Sequence, residues 1–195
     1  KDLFTTTQLL TIAQNNDQEA SFLLGYNIYN STDDEKKIKC PSKEIVKRDV
    51  ELAFYYFFQA EDFIPAQNYL GICYQKGEGV QEDVFESYKY FYSAANGGFL
   101  DGMYNLAEFY LNHKQDNPVY AEKAIKLLTE AAKQYHMGAC FKLGEIYKNG
   151  TITSKDEKKA NLYSKVSNGP SLFDSMYSYA LFKLKESQEE IQKNS

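Results

Sequence analysis

The chain has no tryptophan, two histidines, three cysteines and four prolines among its 195 residues. Each scarcity removes a class of function. Histidine is the usual general base near neutral pH, and catalysis needs a nucleophile, a base and an orienting group held together. His113 in "NHKQDN" and His136 in "KQYHMG" stand apart in loop and turn segments, where surface or helix-end roles outweigh catalysis. No HExxH, GxSxG or P-loop pattern occurs, and no Asp, Glu and His cluster has metal-ligand spacing. The expectation is a non-enzymatic chain with no catalytic residue, no metal and no cofactor. Cys40, Cys73 and Cys140 are isolated and odd in number, so they form neither a disulfide framework nor a CxxC knuckle. Cys73 and Cys140 fall in apolar helical runs and read as small core residues.

Long apolar runs are missing too. Nothing approaches the ~20 residues needed to span a bilayer, and the opening residues lack the basic-then-apolar order of a signal peptide. The chain opens on Lys1 rather than Met, and both end units look incomplete, so a segment of a larger parent is expected. Basic charge is thin: 22 Lys and Arg face 27 Asp and Glu, a formal net charge of −5. Phosphate binding needs clustered Lys and Arg, so a nucleic-acid partner is not expected. The cluster Lys36-Lys37-Ile38-Lys39 follows three acids and reads as a solvated loop. Cysteine usage favours a cytoplasmic setting. The sequons Asn30-Ser31-Thr32 and Asn149-Gly150-Thr151 leave the secretory pathway and the ER lumen open.

What the chain does have is a repeat. Ala66, Leu70, Gly71 and Tyr74 stand at offsets 0, 4, 5 and 8. The same offsets give Gly102, Leu106, Ala107 and Tyr110, then Ala139, Leu143, Gly144 and Tyr147. A degenerate copy follows at Ser175, Tyr179 and Ala180, and an earlier one stands at Ala20, Leu24, Gly25 and Ile28. A second pattern interleaves with the first. Ala53, Ser87, Ala124 and Ala160 open helical stretches, with Ala60, Ala94, Ala131 and Ser167 seven residues on. Offsets of 0, 4, 7 and 8 mark one buried helix face. Small residues let two helices approach, and bulky ones fill the gaps between them. Each unit of about 36 residues is then an antiparallel helix pair that buries its apolar face only by stacking on neighbours.

The predicted fold is all-α: a right-handed α-solenoid of about ten helices with no strand. Helices are expected near 3–16, 18–30, 46–61, 65–77, 82–97, 101–112, 118–134, 138–149, 156–168 and 172–188. The repeat units run 18–61, 65–97, 101–134, 138–168 and 172–188, within a single solenoid over 1–188. Residues 31–44 form an inserted loop, and 189–195 a polar tail. The Gly-Glu-Gly-Val loop at 77–80 resembles a phosphate cradle at first sight. It follows a helix rather than a strand, lacks the third glycine and has no Gly-Lys-Ser/Thr. It reads as a hinge, with Gly77 as a left-handed helix stop and Asp83 opening the next helix.

The unit at 66–97 resembles the Sel1-like repeat, a relative of the tetratricopeptide repeat. The match is carried by Ala66, Leu70, Gly71, Tyr74, Gly77, Gly79, Val80, Asp83, Tyr90, Ala94, Ala95 and Gly97. The fourth unit keeps Ala139, Leu143, Gly144, Tyr147, Gly150, Asp156, Ala160, Tyr163 and Gly169. The third replaces the Gly-Val turn with "HKQDNPV". The resemblance implies a scaffold or adaptor that assembles protein complexes, with another protein or peptide segment as partner. A regulatory or targeting module of an enzyme complex, with catalysis elsewhere, is the alternative. An enzyme in its own right is a further rival.

On the first helix of each pair, offsets 3, 6 and 10 lie opposite the buried face. They place Leu23, Tyr26 and Asn30, then Tyr69, Ile72 and Lys76, then Asn105, Glu108 and Asn112, then Lys142, Glu145 and Asn149 in one row. The row is apolar and aromatic early and polar late. The expectation is a groove in which Tyr26, Tyr69 and Ile72 anchor an apolar side chain, while Asn105, Glu108 and Lys142 hydrogen-bond along the peptide; the convex face and the loop 31–44 are the alternative binding surfaces. The remaining aromatics, 17 Tyr and 13 Phe in all, are expected mostly in the core.

Overall fold

The structure is a computed structural model that describes residues 6–31, 49–115, 117 and 119–167. Among these residues there are nine helices and no strand. They are α1 Thr6–Ala13, α2 Gln18–Tyr29, α3 Val50–Gln59, α4 Ile64–Lys76, α5 Val84–Asn96, α6 Leu100–Asn112, α7 Val119–Lys133, α8 Met137–Asn149 and α9 Glu157–Ser167. The expected helix at 172–188, the polar tail, Cys40 and nearly all of the inserted loop lie outside the described residues.

Local chemistry sets the helix ends. Aspartates open four helices by accepting the backbone N–H groups that a first turn leaves unpaired. Asp17 accepts from Ala20 at 2.8 Å, Asp49 from Leu52 at 2.9 Å, Asp83 from Phe85 and Glu86, and Asp156 from Lys159 at 3.0 Å. His136 does the same for α8, its Nδ1 accepting from Ala139 at 3.0 Å. α4 has no capping side chain. Pro65 in its first turn supplies the fixed φ and removes one unpaired donor. Gly77 and Gly150 close α4 and α8 in the left-handed region, each at φ +66.

The chain forms two compact units, Lys1–Gly102 and Met103–Ser195. In the first, α1 packs on α2, α2 on α3, α3 on α4 and α4 on α5. Ile28, Ala53, Phe57, Leu70 and Cys73 form one buried cluster, ringed by Phe22, Tyr29, Phe54, Tyr56, Tyr69, Val80 and Tyr90. Leu9, Ala20 and Leu24 form another, with Ile12, Ala13 and Tyr56. In the second unit α7 packs on α8 and α8 on α9. Its buried residues include Leu106, Ala124, Leu128, Ala131, Ala139, Cys140, Leu143 and Ile146. Offsets 0 and 4 of the first helices are buried in all four described copies; offset 7 is buried at Cys73, Phe109 and Ile146 but not at Asn27, and offset 8 at Ile28 and Tyr110 but not at Tyr74 and Tyr147.

The first two amides of the Gly-Glu-Gly-Val loop, and that of Asp83 after it, turn back onto α4. Gly77 and Glu78 both donate to the Cys73 carbonyl, and Asp83 donates to that of Tyr74. These donors complete the end of α4, so they are not arrayed for an anion. Gly79 has a role beyond relaxing the turn. A Cβ there would lie 2.3 Å from the Val50 carbonyl oxygen and 2.8 Å from the Phe54 Cβ, so the loop rests directly on the start of α3.

Candidate functional site

The row of candidate residues divides between the two units. In the first, α2 presents Leu23 and Tyr26, each 41% exposed. Both lie opposite the buried Ala20, Leu24 and Ile28. α4 presents Tyr69 and Ile72, both half-buried, and the exposed Lys76, whose Nζ is 3.9 Å from a Glu78 carboxylate oxygen. Tyr69 is the hub of an aromatic cluster. Its ring stacks on Phe57 at 5.0 Å and meets Tyr26, Tyr29 and Phe22 at 5.6, 5.8 and 5.8 Å. Phe22 extends the cluster to Phe63 at 5.3 Å. Such ring pairs add stabilisation beyond their buried area. Tyr69 is therefore a structural member of the face as well as part of its surface. Alanine there would remove core packing, so the more exposed Leu23 and Tyr26, outside the buried cluster, are the better probes of the surface.

Around the Tyr69 hydroxyl stand Tyr26, Asn30 and Asp101. Burial first, then the Tyr26 and Asp101 charges, push this phenol up to about 12, while a hydrogen bond with Asn30 opposes the shift. The Asn30 amide also donates to the Tyr26 carbonyl at 2.8 Å. Tyr29, on the next edge of α2, donates its hydroxyl to Glu78.

In the second unit, Asn105 is half-buried and Asn112 exposed on α6, while Glu145 is exposed on α8. Glu108 and Lys142 are brought together. The Lys142 Nζ lies 3.0 Å from the Glu108 Oε1, and both side chains are about three-quarters buried. Burial pulls the Lys142 ammonium down, but the hydrogen bond and charge of Glu108 outweigh it and hold the group above its usual range. Tyr104 lies against the same pair. Burial, then Glu108, raises its hydroxyl, and its ring tilts over His136 at 5.3 Å. The pair expected to bond along a peptide is thus already bonded to itself, and a ligand there would have to share those charges.

Sequence reasoning missed a second set of surface aromatics. Tyr55 and Phe58 on α3 are 53% and 47% exposed, and Phe85 and Tyr92 on α5 are 68% and 47% exposed. The signal was available: Phe58 and Tyr92 both stand five residues after the small residue that opens the pattern (Ala53 and Ser87), where the second unit has Thr129 and Lys165. Cys73 and Cys140 are buried free thiols, as their apolar runs suggested. Burial pushes them up to about 12 and about 11.

A pH dependence follows from these groups. Cys73 and Cys140 ordinarily ionise near 9, and Tyr69 and Tyr90 near 10; folding raises all four. Above pH ~9 the unfolded chain loses protons that the folded chain keeps, so stability falls as pH rises. Below that point these groups contribute no slope. Urea midpoints measured at pH 8, 9, 10 and 11 should decline above about pH 9. A rise above pH 9 would contradict the burial of these groups.

Among the described residues no helix is long and apolar enough to cross a membrane, and no group of three or more His, Cys, Asp or Glu could hold a metal. A family model of the Sel1 repeat matches residues 42–62, 64–99, 100–136 and 138–165. The chain also resembles the crystal structure of a protective antigen present in uropathogenic Escherichia coli strains and displaying an SLR fold. The TM-score is 0.67 at 23% identity, over 87% of this chain and 34% of that one. A Sel1 repeat protein from Oxalobacter formigenes gives a TM-score of 0.68 at 22% identity, over 85% of this chain and 64% of that one. The chain thus spans about a third of the first and less than two thirds of the second. At these identities the likeness is one of fold: the stacked helix pairs of a repeat solenoid. No curated protein matches the chain.

Proposed function

Because the chain belongs to the Sel1 repeat family, whose members are generally protein-interaction scaffolds and typically non-catalytic, we propose that it is a scaffold or adaptor that holds a segment of another protein. The observation that carries this reading is the pairing of exposed and fixed groups on α2 and α4. Leu23 and Tyr26 offer apolar surface to solvent, and the ring of Tyr26 is seated against Phe22 and Tyr69 at 5.9 and 5.6 Å. An anchor side chain from a partner would meet a surface already ordered, so little conformational entropy is lost on binding. Ile72 and the stem of Lys76 continue this face along α4. In the second unit, Asn105, Glu108, Asn112, Lys142 and Glu145 offer a separate polar surface suited to a more hydrophilic contact.

The test uses the chain carrying Leu23→Ala and Tyr26→Ala together. A partner identified by affinity purification with the unaltered chain is purified, and its dissociation constant is measured with both forms. Truncating central anchors typically costs 1–2 kcal/mol or more, so the constant should rise at least about tenfold. Far-UV circular dichroism should be unchanged, because both side chains lie off the core. An unchanged dissociation constant would remove this face as the binding surface.

A further inference from the structure

The repeats differ in one respect that points to a ligand. At offset 8 the second, third and fourth units carry Tyr74, Tyr110 and Tyr147. In the fourth, Tyr147 stacks on Tyr163 with centroids 6.0 Å apart and planes 5° from parallel. Lys159 of α9 lies over it, with Nζ 5.0 Å from the ring centre. In the third, Lys123 of α7 lies 5.5 Å from the centre of Tyr110. Both lysines stand one residue before the small residue of the second helix, Ala124 or Ala160. An ammonium over a tyrosine face is held by the ring quadrupole. These two units therefore cover their own tyrosine with their own cation.

The second repeat, which lies in the first compact unit, builds the same pair without that cation. Tyr74 and Tyr90 stack at 5.6 Å and 10°, close to the geometry of Tyr147 and Tyr163. The position before the small residue Ser87 is Glu86. Among the described residues no cation lies over the Tyr74 or Tyr90 ring. Phe54 meets Tyr74 edge-on at 5.6 Å, and Phe58 continues the strip at 6.2 Å. The charges around the pair are mostly acidic. Burial first, then Glu86, Asp83 and Glu61, raise the Tyr74 hydroxyl, with Lys89 opposing. Burial, then Glu61, raises that of Tyr90 to about 12. Asp83 is committed to capping α5. Lys89, 2.8 Å from Glu86, lies over Phe85 instead, in an exposed pair that an incoming cation can share. The wider field agrees. Residues 6–31 and 49–102 carry eleven Asp and Glu against two Lys, whereas residues 103–115 and 119–167 carry ten Lys against six acids.

We propose that the stacked Tyr74–Tyr90 pair, with Glu86 and Glu61 beside it, receives an arginine or lysine side chain from a basic segment of a partner protein, in the place that Lys159 takes over Tyr147. The ring faces supply the cation–π attraction, the two carboxylates supply charge, and the exposed Phe58 takes the apolar stem of the side chain. The inference rests on the chain being a partner-binding module, but not on the α2 and α4 face.

The experiment titrates N-acetyl-arginine amide into the full chain with isotope-labelled tyrosine rings, and repeats the titration with the neutral isostere N-acetyl-citrulline amide. The Tyr74 and Tyr90 ring signals should move with arginine and not with citrulline. Glu86→Lys supplies the missing internal cation and should weaken arginine binding at least about fivefold, as a lost cation–π contact and a reversed charge require. Glu86→Gln should weaken it to a lesser degree, and is the reading variant if Glu86→Lys disturbs the start of α5. Glu51→Lys, the same charge change elsewhere on the unit, should leave affinity within about twofold. Tyr26→Ala should leave it unchanged, which separates this site from the face on α2 and α4. Equal shifts with citrulline, or equal weakening by Glu51→Lys and Glu86→Lys, would overturn the proposal.

Discussion

Gly79→Ala is expected to destabilise the first unit by about 3 kcal/mol, from a left-handed backbone that L side chains resist by ~1–2 kcal/mol and from overpacking of ~1–3 kcal/mol. The two costs have separate origins. The backbone sits at φ +75, and the added methyl would fall 2.3 Å from the Val50 oxygen and 2.8 Å from Phe54. Those neighbours are a helix backbone and a Cβ, neither of which rotates away. Gly98 separates the terms. It has φ +83 with nothing within 4 Å of a Cβ, so Gly98→Ala should cost only the backbone term of ~1–2 kcal/mol. Amide hydrogen exchange, read as local opening free energies of α3 and α4 for Gly79→Ala and of α5 and α6 for Gly98→Ala, measures both variants. Similar losses for the two would mean that the loop does not rest on α3 as described.

The comparison shows which features are local. Gly77 as a helix stop and Asp83 and Asp156 as caps were legible because their causes lie within a few residues: an unpaired N–H or C=O group and the side chain or φ that satisfies it. Repeat phase was legible because Ala66, Leu70 and Cys73 recur in kind along one helix face. The reason for Gly79 was not, since it is the Val50 carbonyl, 29 residues upstream. The candidate row was legible as a set of offsets but not as a set of states. Periodicity places Tyr69 and Lys142 opposite the core, yet only tertiary packing seats Tyr69 on Phe57 and pairs Lys142 with Glu108. The expectation that most aromatics are core has its exceptions at Tyr55, Phe58 and Tyr92, because the aromatic runs in "AFYYFFQ" and "YKYFYSAA" populate every face of a helix and burial claims only part of them, and at Phe85 in the first turn of α5. Glu86 against Lys123 and Lys159 is visible in the aligned repeats, but its meaning requires knowing that a lysine there covers a ring.

A second large effect is expected at the contact that joins the two helices of a pair. Phe57 and Phe91, four residues after Ala53 and Ser87, are wholly buried. Each ring lies where a Cβ would stand on the facing helix: 2.8 Å from Gly25 for Phe57, and 2.6 Å from Gly71 for Phe91. Gly25 and Gly71, at offset 5 of the first two repeats, are therefore seats for rings, whereas Gly144 of the fourth faces Ser164. The third unit solves the equivalent positions differently, with Ala107 and Leu128, both fully buried. A methyl is present where the ring is absent. Gly71→Ala alone should cost about 2 kcal/mol, because the overpacking exceeds the ~1 kcal/mol that alanine gains over glycine in a helix. Phe91→Leu alone should cost about 2 kcal/mol through lost ring contacts and the gap it leaves. Together they reproduce the third unit's pair, with the new methyl taking up space vacated by the ring. The double variant should then lose about 2 kcal/mol rather than the roughly 4 expected of independent sites, a coupling within the range found for residues in contact. Opening free energies of α4 and α5 in the four forms decide it. Strict additivity would mean that the helices separate to admit the methyl, and that close approach at Gly71 is not what fixes the pair.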